Sequence, residues 1–301
     1  MTTVVVGGSA SGEIGPNLAR ALKAEYFRIE KKDFPDGEFV VKVPFDARGK
    51  DVVIVQSTYA PQDRHIMELI FIADALKDMH AKSITAVVPY LAYMRQDKRF
   101  LNGQVVSAHM IMRLLNASGI GRLVTVQPHK EKPLRLFRGR ADSIMPIETL
   151  MGRVSRDLSD PYVLAPDIGG LELAKKAARI LGCGYTHLDK ERDRITGIPR
   201  IKNKPHERFD GKQVVIVDDM ISTGTTIMLA SKFAYSRGAT EVVTAAVHLV
   251  MADGARHKLL QAGVTRVYGT NTIPAKNSVI VDVSGEIARA FGKKAGRSRK
   301  S

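Results

Sequence analysis

The stretch "VVIVDDMISTGTTI", Val214–Ile227, decides how the chain is read. Four apolar residues, Val214–Val217, run straight into two adjacent carboxylates, Asp218 and Asp219. Ser222, Thr223, Gly224, Thr225 and Thr226 follow. An apolar run without polar alternation marks a strand buried on both faces, as parallel sheets require. A polar loop that leaves such a strand and opens a helix is where open α/β folds hold ligands. The backbone N–H groups of Ser222–Thr226 are expected to face outward at that helix N-terminus, a ready place for an anion. Asp218 and Asp219 repel a phosphate at close range. They make sense if a hydroxyl-bearing neutral group such as a sugar ring, or a metal ion, lies between. A strand end closed by Asp and a Ser/Thr cap is the plainer reading. One cap needs one side-chain oxygen, and four hydroxyls beside paired acids exceed that.

Outward from this stretch, short apolar runs alternate with helical patterns. Val4–Val6 leads into "GGSASGEIGPNLARAL", Val52–Val55 into "IMELIFIADALKDM", and Ile84–Val88 towards "SAHMIMRLLNASG", with Leu123–Val126 after it. Leu69, Ile72, Ala73 and Leu76 fall on one helical face. The pattern restarts with Tyr162–Ala165 before "GGLELAKKAARILG". There Leu171, Ala174, Ala178 and Leu181 recur at helical spacing and Gly182 marks the stop. Val214–Val217, Val242–Val247 and Val264–Gly269 complete the second half. This order predicts an α/β fold of two similar domains with mainly parallel sheets, 1–147 and 148–290, followed by a basic, disordered tail over 291–301.

The chain of 301 residues is 44% hydrophobic and 26% charged, which suits a globular protein with two cores. No apolar run approaches the ~18 residues that span a bilayer. The segment "MTTVVVGGSASG" has no basic region before its apolar run, so a secretory signal is not expected and a cytoplasmic location is. The single cysteine, Cys183, excludes an intramolecular disulfide framework and reads as a small packed residue. The net charge of +15 favours anionic partners. Five basic residues of it lie in "GKKAGRSRKS" (292–301), leaving +10 on the rest. With no Trp and no interleaved basic–aromatic stripe, nucleic acid is not the expected partner.

Other segments carry candidate chemistry. In "APDIGGLELAKKAA", Asp167 ends a strand and Gly169-Gly170 open a helix, either to let backbone approach an anion or to make a tight turn. In "KKDFPDGEFVVKVP", Pro35-Asp36-Gly37 reads alone as a hairpin turn. "VVPYLAYMRQDKRF" closes a strand with Arg95, Gln96, Asp97, Lys98 and Arg99, which alone is a solvated loop. "VTVQPHKEK" puts His129 after a strand. In "HLDKERDRITG", Lys190, Arg192 and Arg194 alternate on a strand-to-loop edge, which alone is an exposed charged hairpin.

Taken in order, these motifs resemble the ribose-phosphate diphosphokinases, the phosphoribosyl pyrophosphate (PRPP) synthetases, over roughly residues 3–285. The Val214–Thr226 stretch is also similar to the ribose 5-phosphate loop of type I phosphoribosyltransferases. The resemblance implies two tandem domains of the type I phosphoribosyltransferase fold. It implies that Asp218 and Asp219 hold the ribose hydroxyls while Ser222, Thr223, Gly224, Thr225 and Thr226 hold the 5-phosphate. It implies a pyrophosphate loop at Asp167, Gly169 and Gly170, with Asp167 a metal-side acid. For ATP it implies Phe34 stacked on adenine, Asp36 and Glu38 on the base, and Arg95, Gln96 and Asp97 on the nucleotide from across a subunit interface. His129 falls near the ATP phosphates and Mg²⁺, and Lys190 and Arg192 match the Lys-x-Arg of a mobile catalytic flap. The expected partners are ATP and ribose 5-phosphate, with Mg²⁺ as cofactor and a homo-oligomer, dimer or higher, as the assembly. The chain departs from the commoner pattern at Ser222, where Asp is frequent and Ser resembles archaeal members, and at Thr225, where Gly is frequent. The short "FLNGQVVSAH" loop and "PHKEK" also resemble the archaeal subtype. A phosphoribosyltransferase accounts for the Asp-Asp loop but leaves Phe34–Glu38 and Arg95–Arg99 without a role. A non-catalytic regulatory homologue is the other alternative, although Lys190, Arg192, His129 and both loop acids are present.

Overall fold

A computed structural model describes residues 3–192, 199–203, 206–252 and 254–292. The chain divides into two units. One runs up to Met145 and resumes at Asp282; the other is Pro146–Val281.

The first unit opens with β1 (Thr3–Gly7), α1 (Ile14–Leu22), β2 (Glu25–Arg28) and the strands β3 (Glu30–Asp33) and β4 (Phe39–Lys42). It continues with β5 (Asp51–Val55), α2 (Gln62–Asp78), β6 (Ser83–Val88), α3 (Ser107–Ala117), β7 (Arg122–Val126) and β8 (Arg140–Ile144). Six of these strands form one sheet in the order β2-β1-β5-β6-β7-β8, and every pair in it is parallel. β3 and β4 pair only with each other, antiparallel.

The second unit holds α4 (Ile147–Val154), β9 (Pro161–Ala165), α5 (Leu171–Leu181), β10 (Tyr185–His187), and the strands β11 (Asp189–Arg192) and β12 (Pro199–Asn203). β13 (Gln213–Ile221), α6 (Thr225–Ser236), β14 (Glu241–Leu249), α7 (Ala255–Gln261), β15 (Val264–Thr270) and β16 (Val279–Val281) complete it. Its sheet, β10-β9-β13-β14-β15-β16, is again parallel throughout, and β11 and β12 pair antiparallel with each other. The two units therefore share one strand order, with a hairpin inserted after the second strand of each.

The valine-rich runs explain the sheets. A β-branched side chain packs well on a pleated surface, and a parallel strand buries both of its faces. Val214 and Ile216 lie in one cluster with Ile227, Ala230 and Phe233 of α6. Val215 and Val217, which the pleat turns to the other side, are also fully buried, and α5 packs against β13. In the first unit Leu69, Ile72, Ala73 and Leu76 of α2 are all buried against β5 and β6 residues, as their spacing predicts. Each such leucine or isoleucine contributes ~1.5–3 kcal/mol on burial.

Three expectations shift. α5 buries Leu173, Ala174, Ala177 and Ala178, while Leu171 and Leu181 are half-buried at its two ends. The small alanines, not the terminal leucines, carry the packed face. Gly182 does close the helix in the left-handed conformation, φ 67°. The strand before Arg95–Arg99 ends at Val88, so those residues sit in the irregular connection to α3 rather than at the strand's end. Last, α8 (Ser284–Gly292) packs on α1 and β8 of the first unit, whereas residues up to 290 were expected in the second domain. Arg122 donates to the Ala290 carbonyl (2.9 Å) and lies over the Phe291 ring, and Asn17 donates to Asp282 (3.0 Å).

Ile287 of α8 is fully buried. Ile287→Ala is expected to cost ~2–5 kcal/mol. Hydrogen exchange should then quicken in α1 and β8 and leave β9 to β15 unchanged. Loss of protection in the second sheet instead would place α8 with that unit.

Candidate functional site

In each sheet the strand order reverses beside the first strand, between β1 and β5 and between β9 and β13. Loops after neighbouring strands diverge there and leave a crevice at the C-terminal edge. In the second unit both polar segments singled out from the sequence emerge at this point.

β13 does not stop at its two acids. The ladder continues with Asp218 opposite Ala246, Met220 opposite His248 and Ile221 opposite Leu249. Asp218 and Asp219 are thus held by strand geometry; each residue keeps some surface open, while the Asp218 carboxyl itself is enclosed by protein atoms. Asp218 Oδ1 accepts from the Asp219 N–H at 2.8 Å. Burial pushes the Asp218 carboxyl well above the usual carboxylate range, and the negative charges of Asp219 and of Asp167 add to the push. Three carboxylates from the ends of two adjacent strands therefore share one electrostatic environment.

After Ile221 the chain turns through Ser222–Gly224 into α6. Gly224 takes φ +73°, and a Cβ there would lie 3.2 Å from the Ala255 carbonyl oxygen, so the position requires glycine. Its carbonyl accepts from the Met228 N–H (2.8 Å), the first bond of the helix. The N–H groups of Thr225, Thr226 and Ile227 consequently lie in the first turn, where a helix offers no acceptor of its own. No acid occupies that turn. The Met251 and Ala252 N–H groups donate to the Ile221 and Ser222 carbonyls (2.9 and 3.1 Å) and brace the loop from outside. Thr225 is the first residue of α6, with an ordinary helical backbone, so its Cβ is accepted where the commoner pattern has glycine.

The neighbouring loop follows β9. Asp167 caps a single 3₁₀ turn, Ile168–Gly170, and its Oδ1 accepts from the Gly170 N–H at 3.3 Å. Neither Gly169 nor Gly170 has positive φ, and a Cβ on Gly170 would meet only ordinary contacts at 3.5 Å. At Gly170 glycine leaves the backbone bare rather than relieving strain, whereas a Cβ on Gly169 would press on Asp167 Oδ1 at 3.1 Å. Ile168 stands 61% exposed beside it.

Lys190 and Arg192 lie on β11, whose backbone pairs with β12 opposite Ile201 and Pro199. Their side chains fall outside the described residues, as does Arg194. Cys183 is half-buried, and desolvation raises its thiol above the usual range, so it is a packing residue.

In the first unit the remaining candidates leave the same edge of the sheet from different strands. Phe34–Glu38 form the tip of the β3–β4 hairpin, where the Phe34 N–H donates to the Glu38 carbonyl (2.8 Å) and Gly37 has φ +94°. Phe34 is 39% exposed and Asp36 and Glu38 are exposed. Arg95, Gln96 and Asp97 precede α3, and Gln96 Nε2 donates to Gln104 (3.3 Å) while its carbonyl accepts from the Ala108 N–H. His129 follows β7 and is partly buried.

Among the described residues, no three His, Cys, Asp or Glu side chains are arranged to hold a metal ion alone. The oxygen donors of Asp167, Asp218 and Asp219 suit a hard cation such as Mg²⁺, which takes one or two carboxylates and completes its shell with phosphate and water.

Glu68 escaped the sequence reading. It is fully buried on α2 and accepts from the Ser9 N–H and the Ser9 hydroxyl, both at 2.6 Å. A glutamate inside "IMELIFIADAL", next to Leu69 on the packed face, was the available signal.

Asp218 keeps its proton to higher pH in the folded chain than in the unfolded one. Its stabilising contribution is therefore present at low pH and is lost as pH rises through the folded value. Asp218→Asn removes that loss. Melting at pH 8 is expected to rise by ~2–4 °C, the effect of roughly 1 kcal/mol in a domain of this size, and to converge with the parent near pH 4. A lower melting temperature at pH 8 would mean that the ionised carboxylate is stabilised in the free protein.

Residues 3–119 match the sequence model for the N-terminal domain of ribose phosphate pyrophosphokinase, and residues 141–282 match that for the phosphoribosyl transferase domain. The ribose-phosphate pyrophosphokinase of Saccharolobus solfataricus is 43% identical over 95% of this chain and 99% of its own length. That of Methanothermobacter thermautotrophicus is 36% identical over 92% of this chain and 96% of its own. Both are archaeal, in keeping with the subtype expected from Ser222 and the short loops. The crystal structure of phosphoribosylpyrophosphate synthetase from Mycobacterium smegmatis matches 97% of this chain and 98% of that one with a TM-score of 0.86, at 29% identity. On this sequence identity over nearly full length, and on the shared fold, the chain belongs to the ribose-phosphate pyrophosphokinase family.

Proposed function

We propose that the protein transfers the β,γ-diphosphoryl group of Mg·ATP to the C1 hydroxyl of ribose 5-phosphate, giving PRPP and AMP. The observation that carries this reading is the Asp218–Thr226 segment. It sets two adjacent carboxylates ahead of a helix N-terminus free of acid. A sugar phosphate matches both ends. Its ring hydroxyls donate to Asp218 and Asp219, and its 5-phosphate accepts from the first-turn N–H groups and hydroxyls of Ser222–Thr226. The ring keeps the anion away from the acids.

The C1 hydroxyl attacks the β-phosphorus in line. The new bond joins C1 oxygen to Pβ, the bond from Pβ to the α,β-bridging oxygen breaks, and AMP departs with that oxygen while the hydroxyl proton goes to solvent. No covalent enzyme intermediate is needed, so catalysis is positioning and charge stabilisation. Phe34 offers its exposed ring to adenine, and Asp36 and Glu38 accept from the base. Arg95, Gln96 and Asp97 complete the nucleotide site from a second copy of the chain, so the active form is a homo-oligomer. Gly169 and Gly170 let backbone approach the pyrophosphate. Asp167 and His129 would each offer a ligand to Mg²⁺, which when bound would neutralise phosphate charge. Lys190 and Arg192 donate to the oxygens on which charge builds. A phosphoribosyltransferase needs one such domain and leaves the Phe34 hairpin idle.

³¹P NMR with Mg²⁺ and ATP, with and without ribose 5-phosphate, tests the reaction. AMP and a sugar-linked diphosphate are expected together, and only with sugar. ADP would make the protein a simple kinase, and ATP binding without turnover would make it a regulatory homologue. Removing one aimed donor costs ~3–4 kcal/mol of transition-state stabilisation. Lys190→Ala is therefore expected to lower kcat by roughly 10²–10³ with little change in ATP KM. A change confined to KM would remove it from the chemical step. Asp218→Asn is expected to raise chiefly the ribose 5-phosphate KM.

A further inference from the structure

The first unit has the same crevice as the second, but its own side chains fill it. Where β13 carries Asp218 and Asp219, the matching strand β5 is followed by Gln56 and Ser57, both buried. Gln56 Oε1 accepts from the Ala10 N–H (3.0 Å) and Ser57 Oγ from the Tyr90 N–H (3.0 Å). Where β9 leads to the Asp167 loop, β1 leads to Gly8-Ser9. A Cβ on Gly8 would collide with Gln56 Oε1 and come within 3.0 Å of Glu68 Oε1. The seat that an anion takes in such a loop is occupied by the Glu68 carboxylate, which receives both Ser9 donors.

Among the described residues that buried charge pairs with one cation, Lys31, which lies on the nucleotide hairpin. Lys31 Nζ is 3.5 Å from Glu68 Oε2 and 4.9 Å from the Phe39 ring centroid. The same face of α2 presents Arg64 and Phe71, spaced by four and three residues from Glu68. Arg64 pairs with Asp33 and lies 5.2 Å over Phe39, and the Phe71 ring is 5.3 Å from that of Phe39. Asp33 and Phe39 are the last facing pair before the Phe34–Glu38 tip. One stripe of α2 thus grips the rung from which the tip projects. A buried ion pair is a poor source of net stability compared with apolar packing. Its use here is geometric: the tip is preformed, and ATP does not have to order it.

We propose that Glu68, through Lys31, is the positioning residue that holds the Phe34–Glu38 tip ready for the nucleotide. This rests on the assignment of that tip to ATP. The test uses the full-length protein with Glu68→Gln, Lys31→Met and the double variant. Each single variant is expected to weaken ATP ~5–20-fold, by titration and by KM, with ribose 5-phosphate KM unchanged. Lys31→Met also gives up the 3.6 Å contact with Asp33 and is expected to be the worse single, and the double variant is expected to be no weaker than it, because both break the Glu68–Lys31 link. Hydrogen exchange of amides 30–42 in the absence of nucleotide is expected to quicken in each variant. If Glu68→Gln does not fold, Lys31→Met carries the same test from a partly exposed site. Unchanged hairpin exchange, equal rises in both KM values, or additive losses in the double variant would overturn the inference. Phe34→Ala separates the two ways of failing. If it weakens ATP while the Glu68 and Lys31 variants do not, the positioning role falls alone. If neither weakens ATP, the tip is not the nucleotide site and both readings fall.

Discussion

Parallel pairing is the constraint on which the rest depends. Two parallel strands cannot be joined by a tight turn, so every connection must cross back, and every strand of a sheet ends at the same edge. In the six-stranded sheet of each unit every pair is parallel. Chemistry carried by loops after β9 and β13 is therefore gathered at one place before any side-chain contact forms. Order reversal beside the first strand then opens that place. The apolar runs that build the sheets contribute the stability, and the strand ends are left free to carry charge at a local cost.

The same scaffold is used twice with opposite chemistry. In the second unit the strand ends carry Asp167, Asp218 and Asp219, whose charges oppose one another. Retention of the Asp218 proton relieves part of that opposition, and hydroxyl donors or a cation from outside would relieve more. In the first unit Glu68 meets Ser9 and Lys31, and Gln56 and Ser57 are satisfied by backbone. A polar cluster whose members satisfy one another is rigid. The second unit's cluster is the proposed receptor and the first unit's cluster is a brace, and each unit carries a further strand pair after the second strand of its sheet.

Much of this was legible from sequence because apolar runs of Val and Ile have one good solution. The strands around Val4, Val52, Ile84, Leu123, Val163, Val215, Val243 and Val267 form where the runs place them. Local signals were also readable: Gly182 as a helix stop and the Pro35-Asp36-Gly37 turn. What was not legible depends on partners distant in sequence. β13 extends through its acids because β14 offers a matching edge. α5 shows its alanines inward because they let the helix sit close to β9 and β13. α8 returns to the first unit because Arg122, Asn17 and α1 receive it, and none of them is near it in the chain. Glu68 drew no reading from the sequence, since its partners Ser9 and Lys31 lie far from it in the chain.

The departures at Ser222 and Thr225 follow from the same electrostatics. The strand already places two carboxylates beside a third from the neighbouring loop, at the proposed sugar site, and an acid at 222 would add a fourth charge on the proposed phosphate side. Serine keeps the hydrogen-bonding oxygen and drops the charge. Thr225, as the first helical residue, adds a hydroxyl where the backbone is ordinary and no glycine is needed. Its Oγ1 lies 3.3 Å from that of Thr223, so the two hydroxyls stand together over the first turn. The loop thus exchanges a bare backbone for side-chain donors, and it leaves the one conformation that only glycine accepts, at Gly224, untouched.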